Sequence, residues 1–426
     1  MTIHAGLRYL TVIIVLGFLS GCSVNPVTGE KQLSLIPESQ ELSIGSEQYI
    51  PTQQTQGGKF YLDPELNLYV SEVGQKLASV SDRPDLPYEF VVLNSGVPNA
   101  WALPGGKIAI NRGLLTELDD EAQLASILGH EIVHAAARHS VQRMQQGMLI
   151  SAGVAGLGFA LSDNEWAGLI MGGAAMGAQL ALAQYSQGDE LESDHYGILY
   201  MKEAGYDPQA AVELQELFVR LSEGQETGFI QGMFATHPPS QKRVRENQEL
   251  VNEIGAGGYR GEEAYEDKLS FLRSRQPAYD AHDEAMKLAS NDKLDQALGK
   301  VNEAISIEPD EAAFYSLRGR IHKAQDKLEQ AEADFDKATS LYPEMFTYQL
   351  HSGLNALELN KLDKAKQRLN KANETVPTSI AFLRLGDIAV QQNRREDAVR
   401  YYSTAAKSEG QIAQEAQKKL AQLTQN

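Results

Sequence analysis

The residues best suited to chemistry form one short run, His130-Glu131-Ile132-Val133-His134. On an α-helix, residues four positions apart lie one above the other, so both imidazoles would face the same point. Two neutral imidazoles supply half of a tetrahedral zinc site. Glu131 would lie about 100° round the helix from His130, where its carboxylate can act as a general base without binding the metal. The pattern predicts a metal-dependent hydrolase.

A single helix is predicted to carry this run, from about Asp120 to about Gln145. Asp120 followed by Gln123 is typical of a capping box at a helix start, and apolar residues follow at helical spacing. Gly129, directly before His130, would allow another segment to approach closely. The alternative is a buried structural helix whose two histidines satisfy hydrogen bonds in the core.

A third metal ligand is expected from a later helix, usually a carboxylate that leaves one coordination position for water. The segment 188–197 contains Glu190 and Asp194, which are four residues apart and would share one helix face. Glu190 can bind the metal, while Asp194 accepts a hydrogen bond from the outer nitrogen of a ligating imidazole. Taken alone, the two carboxylates are also typical of a solvated helix start.

These motifs resemble those of the membrane-associated zinc peptidase family that includes HtpX, the CAAX prenyl endopeptidase and the β-barrel assembly-enhancing protease. The resemblance covers about residues 38–252 and depends on the order of five motifs. They are the run 130–134, the pair Glu190 and Asp194, and the segments 99–113, 204–208 and 236–243.

The resemblance implies one zinc ion per chain, with His130, His134 and Glu190 as its ligands and Glu131 as the base. It also singles out His237 in a His-Pro-Pro motif. In the β-barrel assembly-enhancing branch, the corresponding histidine can fill the fourth zinc position and keep the enzyme inactive. His237 is therefore a candidate fourth ligand. Its alternatives are a loop histidine stiffened by two prolines and a group that stabilises the transition state.

Three further polar residues lie near the motifs. Arg243 is expected either to pair with a nearby carboxylate or to polarise the substrate carbonyl. His139 and His195 lie off the predicted ligand face, and both are interpreted as structural.

The implied reaction is hydrolysis of a peptide bond. Zinc polarises the scissile carbonyl and makes its water acidic, while Glu131 takes the proton and delivers it to the leaving amine. Residues 88–94 and 107–110 are predicted strands around a Pro-Gly-Gly turn. An edge strand beside the active helix would hold an extended peptide by main-chain hydrogen bonds, which suits loosely selective cleavage.

The first 21 residues are typical of an export signal. Arg8 precedes an apolar run at 10–19 that is too short to span a bilayer. The run ends in Leu-Ser-Gly-Cys, which resembles a bacterial lipobox and makes Cys22 the lipidated first residue of the mature protein. Cys22 is the only cysteine. Ser23 matches the pattern that sends lipoproteins to the periplasmic face of the outer membrane. The alternative is an ordinary signal peptide with an incidental cysteine.

The net charge of −19 argues against nucleic acid as a partner and against electrostatic adhesion to anionic lipid. Membrane attachment then requires the lipid, or else the apolar segment 148–182 between the two zinc motifs. Its two apolar runs are shorter than a spanning helix. The segment is interpreted as a lid that covers the cleft or leans on membrane or client, or alternatively as two core helices.

The C-terminal part repeats a pattern of small and apolar residues with a period of about 34 residues, as in tetratricopeptide repeats. Small residues occur where paired helices cross closely, and proline ends the second helix of each unit. Four units and a polar capping helix are predicted. Two of the units are Gly319, Ala331, Phe335, Ala338, Pro343 and Gly353, Ala365, Leu369, Ala372, Pro377.

The predicted fold is therefore a mainly helical α+β, gluzincin-like zinc peptidase domain followed by an all-α solenoid. The boundaries are a lipoprotein signal at 1–21, the peptidase domain at 22–255, a linker at 256–276 and the repeats at 277–426. The expected function is a zinc endopeptidase of the bacterial cell envelope. It would cleave unfolded or misassembled outer-membrane proteins, while the repeats hold clients or the envelope assembly machinery. The alternative is a periplasmic chaperone or assembly scaffold with a latent or inactive protease site.

Overall fold

The computed structural model describes residues 22–153, 184–224 and 232–424. The signal at 1–21 and residues 154–183, which make up most of the apolar segment, lie outside the described residues. The predictions of a signal peptide and of a lid therefore fall outside them as well. No helix within the described ranges is both long enough and apolar enough to cross a membrane.

The chain opens with a short antiparallel hairpin. Strands β1 (Cys22–Val24) and β2 (Lys31–Leu33) pair with Cys22 opposite Leu33. Helix α1 (Glu38–Thr55) follows and packs on the main sheet. The predicted lipidation site therefore stands at the first residue of a strand.

The main sheet has three strands in the order β3-β5-β4. After helix α2 (Pro64–Ala78), strand β3 (Glu89–Leu93) pairs in parallel with β5 (Lys107–Asn111), and β4 (Ala100–Leu103) pairs antiparallel with β5. The strands predicted at 88–94 and 107–110 are confirmed. Strand β4 lies at one of the two edges of this sheet, and it contacts the helix that carries the His-Glu-x-x-His run.

That helix is shorter than predicted. After α3 (Arg112–Leu115), helix α4 (Glu121–Ala136) ends well before residue 145, and a separate helix α5 (His139–Gly153) follows. The prediction of one continuous helix was wrong, because Arg138 adopts a left-handed φ of 65°.

The break is held in place by tertiary contacts of Arg138. Its Nε donates to Glu41 Oε2 at 2.8 Å, and its Nη2 donates to the carbonyl of Ile36 at 2.7 Å. A buried ion pair thus overrides the helical preference of the local sequence. At the other end of α4, Asp120 caps the helix by accepting from the Gln123 amide at 2.8 Å. In the predicted capping box, the side chain of Gln123 would accept a hydrogen bond from the amide of Asp120. Here Gln123 Oε1 accepts from the amide of Asp119 instead.

Helix α6 (Gln187–Glu203) packs closely on α4 through two glycines. A Cβ on Gly129 would lie 3.1 Å from the carbonyl oxygen of Gly197, and one on Gly197 would lie 3.0 Å from the amide of His130. The close approach expected at Gly129 is confirmed. It brings the second zinc motif next to the first.

The peptidase part is completed by α7 (Gln209–Glu223), α8 (Met233–Thr236) and α9 (Gln241–Ile254). The next helix, α10 (Glu262–Ser290), runs through most of the predicted linker at 256–276 and into the first repeat. Tyr265 at the start of α10 is fully buried.

The repeats form successive helix pairs, with α10 contacting α11 and each later odd-numbered helix contacting the one before it. A Cβ on Gly319 would lie 2.7 Å from the Phe335 ring, which explains the small residue where the helices cross. The predicted fold class is confirmed. The helices are α11 (Leu294–Ile307), α12 (Ala312–Ala324), α13 (Leu328–Leu341), α14 (Phe346–Glu358), α15 (Leu362–Thr375), α16 (Ser379–Gln391), α17 (Arg395–Ala405) and the capping helix α18 (Gly410–Thr424).

The solenoid packs directly on the peptidase part. The Tyr61 hydroxyl donates to the carbonyl of Asp310 at 2.6 Å. Asn94 Nδ2 donates to Glu311 Oε2 at 3.0 Å, and Glu311 is fully buried. Polar contacts between distant parts of the chain thus fix the first repeats beside strand β3.

Candidate metal centre

Four predicted side chains converge on one point in the interior. Helix α4 supplies His130 and His134, α6 supplies Glu190, and the loop after α8 supplies His237. One ligand atom from each lies within 4.8 Å of the others. His134 Nε2 is 3.0 Å from His130 Nε2, and His237 Nδ1 is 2.9 Å from Glu190 Oε1. All four residues are at most 6% exposed.

Asp194 stands behind the first histidine, as the sequence predicted. Its Oδ1 is 3.0 Å from His130 Nδ1. Arg243 donates to both oxygens of Asp194 at 2.7 Å. Burial alone would raise the pKa of the Asp194 carboxyl, but Arg243 and His130 hold it below its ordinary value. Asp194 is therefore an acceptor that can orient the imidazole.

Arg243 also contacts Glu190, with Nη1 2.7 Å from Oε2. Of the two roles predicted for Arg243, the described structure shows pairing with carboxylates. Burial would raise the pKa of Glu190, but His237 and Arg243 together hold it well below its ordinary value. Glu190 is thus a carboxylate anion at neutral pH, as a metal ligand must be.

Glu131 is fully buried beside this group. Neither of its carboxylate oxygens has a hydrogen-bond partner among the described residues. The imidazole of His237 lies beside it, with Nε2 3.4 Å from Glu131 Oε1. Burial raises the pKa of Glu131 above its ordinary value. A buried carboxylate left without partners is expected where a reacting group is to be bound.

His139, interpreted from the sequence as structural and off the ligand face, is not one of the four converging residues. Its Nδ1 lies 2.8 Å from Nδ1 of His134, the outer nitrogen of that imidazole. The break at Arg138 is the cause, because it turns the following residue back toward α4. His195, in contrast, is exposed on α6, where its ring lies against that of Tyr196.

Tyr185 was not found from the sequence. Its ring stacks on His134 with centroids 3.6 Å apart, and its hydroxyl lies 3.0 Å from Ser140 Oγ. The Tyr185 amide donates to the carbonyl of Thr236 at 3.2 Å, next to His237. No local pattern marks this tyrosine, because its position is set by the folding of the chain before α6.

The residues present fit a zinc ion. Two imidazoles and one carboxylate, with a fourth donor nearby, are the donor set that zinc takes in proteins. Glu190, which belongs to this group, and Glu131, which lies beside it, are both buried carboxylates, and a divalent cation would offset their negative charge. Cys22 lies far away in sequence, in β1, and its lipidation stays a prediction.

The fold and the donor set resemble those of zinc metallopeptidases. Residues 64–251 match the model described as peptidase family M48, and residues 312–345 match the model described as a tetratricopeptide repeat. Residues 64–251 are thus similar to peptidase family M48 and residues 312–345 to a tetratricopeptide repeat, in line with the resemblance seen in the sequence.

Curated relatives share this domain. The beta-barrel assembly-enhancing protease of Yersinia pestis is 27% identical over 244 residues, which are 56% of this chain and 49% of that protein. The protein of the same name from Escherichia coli (strain K12) is 26% identical over 242 residues, again 56% and 49%. The mitochondrial metalloendopeptidase OMA1 of Schizosaccharomyces pombe is 35% identical over 188 residues, 44% of this chain and 53% of that protein. The chain thus spans about half the length of these relatives.

Proposed function

We propose that this chain is a zinc-dependent endopeptidase of the bacterial cell envelope that cleaves unfolded or misassembled proteins, those of the outer membrane in particular. The observation that carries the proposal is the buried group of His130, His134 and Glu190 next to the carboxylate of Glu131, which accepts no hydrogen bond from the described residues. Relatives named beta-barrel assembly-enhancing protease support the substrate class.

In this proposal His130, His134 and Glu190 hold the ion. When bound, zinc polarises the scissile carbonyl and increases the acidity of water. Glu131 accepts the proton of the attacking water and returns it to the leaving amine nitrogen. Its pKa, raised by burial, makes the carboxylate a stronger base for the first of these steps. Asp194 and Arg243 keep the His130 ring in place.

We assign His237 as a latch, meaning a side chain that keeps the site closed until it moves. Its imidazole is buried between Glu190 and Glu131, with nitrogen–oxygen distances of 2.9 and 3.4 Å. A substrate cannot approach Glu131 from this side while the ring is there. Burial would lower the pKa of His237, but the carboxylates of Glu190 and Glu131 raise it. These contacts favour the latch over a group that acts only in the transition state.

The repeats would hold clients or the envelope assembly machinery. A cavity of about 530 Å³ lies between the solenoid and the peptidase part. Its walls include Leu317 and Tyr348 from the repeats and Arg112 from α3. The loop at 94–97, which leads from β3 toward the edge strand β4, forms another side. A polypeptide held in this cavity would lie next to the strand proposed to present it for cleavage.

The site would operate at the periplasmic face of the outer membrane, anchored through acylated Cys22. Asn25, three residues further on, donates to Glu192 Oε1 at 2.9 Å. Glu192 lies on α6, two residues from Glu190. Three extended residues span at most about 10 Å, so a lipid on Cys22 would keep this edge of the peptidase part close to the bilayer.

The test is cleavage of an unfolded model protein by the purified mature chain. We expect cleavage that a chelator abolishes and added zinc restores. Cleavage that persists in chelator, or no cleavage by zinc-loaded enzyme under any condition including His237→Ala, would contradict the proposal.

The second candidate is a periplasmic chaperone or assembly scaffold with a latent site, which the buried position of His237 favours. A scaffold would bind clients and suppress their aggregation without cutting them. Glu131→Gln should therefore retain full function if the chain acts as a scaffold, and lose it if the chain acts as a peptidase.

A further inference from the structure

The two histidines of α4 have different partners on their outer nitrogens. His130 Nδ1 faces the carboxylate of Asp194 at 3.0 Å. His134 Nδ1 faces no carboxylate among the described residues; its partner is Nδ1 of His139, at 2.8 Å. Metal-binding histidines usually give their outer N–H to a carboxylate or a carbonyl, because that bond fixes both the tautomer and the ring orientation. His139 thus stands where an orienting group is needed.

His139 in turn leads to a carboxylate. Its Nε2 is 3.3 Å from Glu192 Oε1, and the same oxygen accepts a hydrogen bond from Asn25 Nδ2 at 2.9 Å. His139 is 2% exposed, whereas Glu192 is partly exposed. The residues form a chain of contacts that runs from His134 to the N-terminal hairpin.

The pairing of two Nδ1 atoms restricts where the hydrogens are. One of the two nitrogens must donate and the other must accept. If His134 turns Nε2 toward the metal, as its 3.0 Å distance to His130 Nε2 indicates, its Nδ1 carries the hydrogen. His139 then accepts at Nδ1 and carries its own hydrogen on Nε2, directed at Glu192. Every donor in the chain has an acceptor in this arrangement.

We propose that His139 is a positioning residue for His134. It extends the usual histidine–carboxylate pair by one imidazole, so that Glu192 orients His134 through His139. The proposal rests on the zinc site proposed above. Loss of such an outer partner typically weakens metal binding by about 10–100-fold.

The competing interpretation is that His139 only fills space beside α4. Two substitutions separate the interpretations, because one keeps the ring volume of His139 without its hydrogen-bond acceptor and the other keeps the acceptor without the ring volume. His139→Phe keeps a ring of similar size and removes the acceptor. His139→Asn loses ring volume but keeps an oxygen near the position of Nδ1. A positioning role makes Asn the milder change, whereas a packing role makes Phe the milder change.

The experiment measures zinc affinity of the full mature chain by competition with a chromophoric chelator. We expect His139→Phe to weaken binding by about 10–100-fold and His139→Asn to remain within a few-fold of wild type. The visible spectrum of the cobalt-substituted protein should change in His139→Phe and not in His139→Asn. His195→Phe, on an exposed position next to Asp194, is the matched control and should bind zinc as wild type does.

Glu192→Met gives a second measurement that does not alter a buried residue. We expect it to weaken zinc binding in the same direction as His139→Phe but only by a few-fold, because His139 Nδ1 remains to accept from His134. The proposed positioning of His134 by Glu192 through His139 is overturned by any of three results. These are wild-type zinc affinity in His139→Phe, a smaller loss of affinity in His139→Phe than in His139→Asn, or no effect of Glu192→Met. A wild-type chain without zinc affinity would instead overturn the proposed function, and with it the positioning role of His139.

Discussion

The guanidinium of Arg243 binds the carboxylate of Asp194 through two hydrogen bonds of 2.7 Å each. Both side chains are buried, and the same carboxylate faces the outer nitrogen of His130. A charge in the interior is tolerated only when it is paired, so each of the two residues depends on the other. The pair joins helix α9, which follows the loop that carries His237, to helix α6, which carries Glu190.

Arg243→Gln should therefore destabilise the fold as well as the site. Removing one partner of a buried ion pair costs about 3–5 kcal/mol, because the other charge is left uncompensated. The unfolding midpoint in urea, measured on metal-free protein, is the readout. Lys242→Gln is the neighbouring control: its pair with Glu246 is exposed and should contribute less than about 1 kcal/mol. Equal effects of the two substitutions would show that the Arg243 pair is not needed for stability.

His237→Ala should increase cleavage of unfolded protein if His237 is the latch. The substitution opens the space between Glu190 and Glu131 while His130, His134 and Glu190 remain to hold zinc. Each 1.4 kcal/mol by which the closed state is more stable than the open state lowers the cleavage rate of the wild type about tenfold. Initial rates of wild type and variant at equal zinc content give the answer. Slower cleavage by the variant would instead assign His237 to the transition state.

Cys22→Ala should release the mature chain from the membrane fraction or leave the precursor unprocessed. The acyl chains on Cys22 are the proposed anchor, and this substitution removes them. Ser23→Asp is the informative companion, and should move the protein from the outer to the inner membrane. Flotation of fractionated membranes measures both. A Cys22→Ala chain that still floats would place the anchor in the apolar segment 148–182.

His351 should make the solenoid less stable in mild acid. Burial lowers the pKa of His351 to about 3, with Arg320 and Lys323 adding to the effect. In the unfolded chain the imidazole of His351 is protonated below its ordinary pKa of about 6.5, whereas in the folded chain it stays neutral down to about pH 3. The free energy of unfolding therefore decreases as the pH falls from 6.5 toward 3. Because His351 is partly exposed, we expect about 1–2 kcal/mol at pH 5.

His351→Gln cannot take up that proton. Its unfolding free energy should therefore fall less between pH 7.5 and pH 5 than that of wild type, by the same 1–2 kcal/mol. Denaturant unfolding of both proteins at the two pH values tests this. Identical pH dependence would mean that His351 is not buried as a neutral side chain.

Much of the site was predictable because its spacing is local. The period of the helix alone brings His130 and His134 together, and the same argument pairs Glu190 with Asp194. The repeats were predictable for a similar reason, since the glycine at each helix crossing has no room for a side chain. In both cases the signal lies within a few turns of one helix or one helix pair.

What could not be predicted depends on distant contacts. The helix ends at Ala136 because Arg138 reaches Glu41, which lies 97 residues earlier. That break gives His139 its position beside His134. Tyr185 stacks on His134 because of how the chain enters α6. Sequence periodicity contains no information on such tertiary contacts.

The central claim is that Glu131 is the base of a zinc peptidase and not a structural or metal-binding residue. Glu131→Gln is nearly isosteric and removes the base without removing a predicted ligand. We expect the variant to keep about one zinc ion per chain and to lose about 10²–10⁴-fold in cleavage of unfolded protein. Glu190→Ala, measured in parallel, should lose zinc itself. Undiminished cleavage by Glu131→Gln at full zinc content would contradict the account, as would loss of zinc from that variant.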